Sequence, residues 1–136
     1  MLDILAKICD EGGPLVGVSY TLFEGDPQFI TAVGLRFESL TAVLRAVPDD
    51  DTLEASLGLL APEPHETLFE AADSGPWPAC MGLSICWAWC LTNQQGYSDG
   101  VRLEFSEPGV ASSAVVEFIV AASAIHVFVA VPGVTT

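Results

Sequence analysis

The run Leu83-Ser84-Ile85-Cys86-Trp87-Ala88-Trp89-Cys90-Leu91 constrains this chain most. A polar segment follows, Thr92-Asn93-Gln94-Gln95-Gly96-Tyr97-Ser98-Asp99-Gly100, and then the alternating run Val101-Arg102-Leu103-Glu104-Phe105. The odd positions of the first run are large and apolar, and the even ones are small. Trp, Ile and Cys are poor helix formers, so the run predicts a strand covered on both sides, with its large residues on one face. The returning run places Val101, Leu103 and Phe105 on one face and Arg102 and Glu104 on the other, as in an antiparallel strand with one wet side. Asp99-Gly100 predicts the turn between them, because a tight hairpin favours residues that accept positive φ. Two readings of the loop stand side by side. In one, Asn93 and Asp99 only satisfy backbone donors. In the other, Asn93, Gln94, Gln95, Tyr97 and Asp99 present hydrogen-bonding groups to a partner from a rigid support.

Before this hairpin, residues 2–10 predict a short helix with Leu2, Leu5, Ile8 and Cys9 on one face, ended by Gly12-Gly13-Pro14. Val16, Val18, Tyr20 and Leu22 alternate, as do Phe29, Thr31, Val33, Leu35 and Phe37; Glu24-Gly25-Asp26-Pro27 turns the chain between them. Leu40, Ala42, Leu44 and Ala46 predict a third strand. Leu53, Ala55, Leu57 and Leu59 predict a fourth, although Leu53, Leu57 and Leu60 also fit a helix. Residues 62–78 hold four prolines and read as the connection between two β-rich halves. Within it Glu66–Asp73 predicts one or two helical turns, and Pro76-Trp77-Pro78 an extended backbone. Leu68, Phe69 and Trp77 there call for burial. Glu107-Pro108-Gly109 predicts a turn, and Val115–Ala121 and Ile125–Val131 predict a last hairpin around Ala122-Ser123. The expected architecture is a single domain of residues 1–136, α+β, mainly an antiparallel β-sheet of roughly eight strands with an N-terminal helix.

Gly82, the Trp87-Ala-Trp89 pair and Asn93-Gln-Gln-Gly-Tyr-Ser-Asp-Gly100 resemble a family of small bacterial proteins with no established activity. The likeness extends back to Gly13-Pro14-Leu15-Val16 and Asp50-Asp51-Thr52-Leu53. It implies a one-domain bacterial protein and carries no catalytic residue over.

The formal charge is −14, and Lys7, Arg36, Arg45 and Arg102 are the only Lys or Arg residues. Such a chain repels DNA, RNA and anionic lipid, so neither nucleic acid nor membrane is an expected partner. Residues 1–73 hold fourteen of the eighteen acids, which predicts a polarised surface. Solubility, a salt-adapted source or a basic partner each explains the acidity. Residues 114–131 are long enough to span a membrane, but Glu117 and His126 interrupt them and two strands fit better. The first residues lack the basic start and apolar core of a signal peptide, and Cys9, Cys80, Cys86 and Cys90 form no C-x-x-C pair. Buried, reduced cysteines in a cytoplasmic protein are expected.

Catalytic chemistry has little to stand on. His65-Glu66 leads to no second histidine, and His126 in Ala-Ile-His-Val-Phe reads as a sheet residue. Asp49-Asp50-Asp51 lacks the glycine and terminal glutamate of a calcium loop. No catalytic residue, metal or cofactor is expected. The expected function is a small acidic protein-binding module, most concretely an immunity protein or antitoxin that neutralises a basic partner. Asn93, Gln94, Gln95, Tyr97, Asp99, Asp49, Asp50, Asp51 and Glu54 are its candidate contacts. The alternative is a small-ligand domain or enzyme with a pocket near Trp87, Trp89 and Tyr97. Homo-oligomerisation stays open.

Overall fold

A computed structural model describes residues 1–107 and 113–130. Helix α1 (Leu2–Glu11) buries Leu5 and Ile8 and is closed by the Gly12 N–H, which donates to Ile8 O. Strands β1 (Leu15–Phe23) and β2 (Ile30–Phe37) form the first hairpin, and β3 (Thr41–Val47) and β4 (Thr52–Leu57) continue the meander. Strand β5 (Glu66–Glu70) returns to the free edge of β1. One limb of the sheet therefore runs β5-β1-β2-β3-β4. After the short helix α2 (Trp77–Cys80), the second limb is the meander β6 (Ser84–Thr92), β7 (Ser98–Ser106), β8 (Ser113–Ala121) and β9 (Ala124–Ala130). Every pairing is antiparallel, as short connections dictate.

The limbs meet on β2. Its pairing with β3 ends at Ala32, and two residues further Ile30 pairs with Ile125 of β9. At the other end Leu15 exchanges backbone hydrogen bonds with Gly82 and Leu83, just before β6. The inner faces of both limbs then share one core. Trp77 is fully buried at its centre, stacked on Phe118 and edge-on to Phe105, and its Nε1–H donates to the Tyr20 hydroxyl. Helix α1 packs against β6 and β4, closing the side that the strands leave open.

The α+β class, the N-terminal helix and the mainly antiparallel sheet are as the sequence predicts, with nine strands among the described residues. The β4 segment is a strand, not a helix. Residues 113–130 of the apolar stretch form β8 and β9 around Ala122-Ser123, both at positive φ (52° and 68°), as a two-residue hairpin requires. No helix among the described residues is long and apolar enough to cross a membrane. The expected turn at Pro108-Gly109 lies outside the described residues.

Several expectations fail. Glu66–Glu70 is a strand, not helical turns: the open edge of β1 supplies a hydrogen-bonding partner that local propensity does not register. Leu68 and Phe69 are exposed on that edge strand. Pro76-Trp77-Pro78 opens α2 instead of extending, since proline is accepted in a first helical turn. The largest departure is β6, which is not covered on both sides. A register shift between Ile85 and Trp87 inserts Cys86 as a bulge. One extra residue exchanges the faces of everything after it. Ile85 stays in the core, whereas Trp87 and Trp89 turn outward, 63% and 41% exposed.

Candidate functional site

Register across β6–β9 assembles an outward face whose central row is Trp89, Arg102, Glu117 and Phe128, one residue from each strand. The Arg102 guanidinium carbon lies 5.3 Å from the Trp89 ring centroid, and its Nε is 3.5 Å from Glu117 Oε1. That Nε is buried and makes no hydrogen bond, so Glu117 balances its charge without satisfying its proton. Trp87 and Glu104 sit across from each other in one neighbouring row; Leu91, Gly100, Ile119 and His126 form the other. Phe128 is 53% exposed and His126 stacks beside it. Gly100 is required here: an added Cβ would lie 2.6 Å from both Ile119 Cδ1 and Phe118 O.

The loop from Asn93 to Tyr97 stands at one end of this face, and Asn93 builds it. Its Oδ1 accepts from the N–H groups of Gln95 and Tyr97 at 2.9 and 3.2 Å, its own N–H donates to Tyr97 O, and its Nδ2 lies 3.4 Å from Asp99 Oδ2. Gly96 supplies the positive φ. The expected turn at Asp99-Gly100 is thus displaced: both residues belong to β7, and Asp99 lies at a second register shift, between the Leu91–Gly100 and Thr92–Ser98 pairs. Gln94, Gln95 and Tyr97 are exposed, and Asn93 and Asp99 are half-buried. Asn93 is therefore the structural residue of the loop, while Gln94, Gln95 and Tyr97 remain available for contact.

The acidic turn lies at the same end. Asp51 Oδ1 accepts the Ser123 N–H at 3.0 Å, tying the β3–β4 turn to the β8–β9 turn. The β6–β7 and β8–β9 turns sit on the same end of one meander, about two strand spacings apart, or roughly 10 Å. Asp50 Oδ1 accepts from Thr52 Oγ1 at 2.6 Å, so Asp50 and Asp51 have structural duties. Asp49 is exposed beside them. Glu54 stands apart on β4, opposite Arg45.

Two hollows flank these surfaces. A cavity of about 450 Å³ is lined by Phe23, Phe29, Arg45, Glu54, Glu66 and Ser123, among others. Glu66 holds Arg45 through two oxygens at 2.9 and 3.3 Å, and Glu63 adds a third contact at 3.1 Å. Burial pushes the Glu66 carboxyl up, but the hydrogen bonds from Arg45, the Glu63 N–H and Thr31 outweigh it and hold it below its ordinary value. Arg45 is thus committed within the protein. The other hollow, about 380 Å³, lies between α1 and β6 and includes Cys9 and Trp87 in its wall. Trp89 and Tyr97 do not line it, so the pocket expected from Trp87, Trp89 and Tyr97 together is not formed there.

The four cysteines are unbridged. Only Cys80 is buried, and burial pushes its thiol up to about 11; Cys86 is exposed, correcting the expectation of four buried thiols. Cys86 and Cys90 turn to Glu104 and Ser98, and His126 turns to Ala121 O, so no cysteine–histidine pair forms. No three His, Cys, Asp or Glu side chains among the described residues gather as a metal group.

Sequence periodicity missed Trp87, Trp89, Arg102, Glu117 and Phe128 as one surface. The signal in the sequence is the absence of any charge from β6, which reads equally as burial or as an apolar contact face. No curated protein and no solved structure matches the chain. A family model matches residues 4–132, described as a family of unknown function, DUF6334.

Proposed function

The chain belongs to this family of unknown function, and we propose that it is a small protein-binding module that neutralises a basic partner, in the manner of an immunity protein or antitoxin. One observation carries this reading: two tryptophans and a phenylalanine stand exposed on the outer face of β6–β9, with an arginine against one of the tryptophans. Monomers rarely leave such aromatic surface to water without use. Trp and Arg are the residues that most often dominate binding energy at protein interfaces. The net charge of −14 selects the partner's sign. Asp49 and its neighbours at the β3–β4 turn would draw the partner in at long range. Gln94, Gln95 and Tyr97 would hold it at the rim, with Trp87 and Trp89 central.

The test is capture from native lysate at low salt, with parent protein and a Trp87→Ala/Trp89→Ala variant side by side. The expected result is a basic protein that the parent retains, that rising salt releases, and that the folded variant loses at least about tenfold. Equal retention by the variant, or capture of acidic proteins alone, overturns the reading. In binding kinetics with the captured partner, Asp49→Asn slows association, whereas Tyr97→Ala speeds dissociation.

A further inference from the structure

Strand β6 is an edge. It pairs with β7 on one side, and among the described residues no backbone hydrogen bond reaches its other side between 84 and 92. Natural edges are usually blunted by lysine, proline, inward charge or a bulge. The sequence SICWAWCLT contains no charge and no proline. Its protections are the bulge at Cys86 and helix α1 alongside; past the bulge Trp87–Thr92 carries no charge, and its register with β7 is unbroken from Trp87 to Leu91.

The surroundings of this edge define what fits it. Leu2, Ala6 and Asp10 of α1 face Cys86, Trp87 and Ala88 across the cleft described above. The cleft wall is mainly apolar and includes the Asp10 carboxylate. Glu104 sits opposite Trp87 on β7. The nearby cations are already engaged: Lys7 with Glu11 at 3.8 Å, and Arg102 with Glu117 and Trp89.

We infer that the outer edge of β6 is a strand-addition site for an extended, basic segment of a partner protein, one that alternates cationic and apolar side chains. This rests on the reading of the protein as a binder of basic partners and specifies how the partner is held. Main-chain hydrogen bonds to residues 87–92 supply affinity, and alternate side chains supply selectivity. Apolar side chains of the segment pack on Trp87 or enter the cleft, and cationic ones meet Asp10 and Glu104. A second copy of the chain is the other strand that an edge can recruit. It would bring a further −14 against −14, so charge selects a basic occupant.

The experiment uses three synthetic peptides matched in length to β6. One alternates lysine and valine, one alternates glutamate and valine, and the third is the lysine–valine peptide N-methylated at alternate residues. N-methylation keeps charge and side chains but removes the donors that pair with a sheet edge. Binding is read from tryptophan emission and from amide hydrogen exchange resolved to β6. The lysine–valine peptide should bind and slow exchange within 87–92. The N-methylated peptide should bind at least about tenfold more weakly, since several hydrogen bonds are lost. The glutamate peptide should not bind. Equal binding of the methylated peptide, or protection at residues 49–54 in place of β6, overturns strand addition yet leaves the basic-partner reading intact. Failure of all three peptides at millimolar concentration also overturns strand addition, and the lysate capture then judges the broader reading alone. A concentration-dependent dimer that protects 87–92 without peptide overturns the choice of occupant.

Discussion

Trp77, Trp87 and Trp89 are one residue type in different surroundings, and their truncations should separate. Trp77 fills the centre of the core and hydrogen-bonds Tyr20, so Trp77→Ala should cost about 3–5 kcal/mol. Trp87→Ala, at an exposed position, should stay within about 1 kcal/mol of the parent. Denaturant midpoints read both, and equal losses would contradict the outward placement of Trp87. Titration gives a second residue-level expectation. Burial raises Cys80 from 9.0 to about 11 and also raises Tyr20, so the folded state holds protons that the unfolded chain releases. The stabilisation is complete below pH 9 and is lost as pH rises through about 11. Cys80→Ala should flatten that alkaline slope in part, leaving the share due to Tyr20 and to Cys9, which burial also raises. Glu66 works in the opposite direction. Its carboxyl is held below 4.5 in the folded state, so its contribution is present above that value and fades as pH falls through the folded one. Glu66→Gln should remove that acid-side slope, read as midpoint against pH.

Among elements, alternation revealed β1 to β4, β8 and β9 because each keeps its faces in step over most of its length, although a register shift between Leu15 and Gly17 leaves Val16 exposed. It misled at β6, where Cys86 breaks the step, and at β5, whose strand character comes from β1 and not from its own residues. Candidate contacts were legible to the same degree. Gln94, Gln95 and Tyr97 are exposed as a polar loop suggests, whereas Trp87 and Trp89 were assigned to the interior. Arg102, Glu117 and Phe128 come from three strands and meet only through register, which no local pattern encodes. Asn93 belongs to this scale too, since it shapes a whole hairpin. Asn93→Ala removes the acceptor of two backbone N–H groups and should cost about 1–3 kcal/mol, seen as a lower midpoint and faster amide exchange at Gln95 and Tyr97.

For the whole molecule, fourteen units of net negative charge oppose compaction. Raising salt from low ionic strength to about 0.15 M, where screening acts over about 8 Å, should therefore raise Tm. A falling Tm would mean that attraction within pairs such as Arg45–Glu66 outweighs the general repulsion. The two limbs of the sheet meet where β9 takes over the edge of β2 beside Ile30, and this junction bears on how the chain folds. Within each limb nearly every pairing joins strands close in sequence, so each meander closes short loops. The Ile30–Ile125 pairing instead closes a ring across 95 of the 136 positions of the chain. The entropic cost of that long closure grows only with the logarithm of its length, so it adds little to stability and much to the search. Folding should thus run as two fast local assemblies followed by one slow docking, with Trp77, between them in the chain, the last large side chain to leave water.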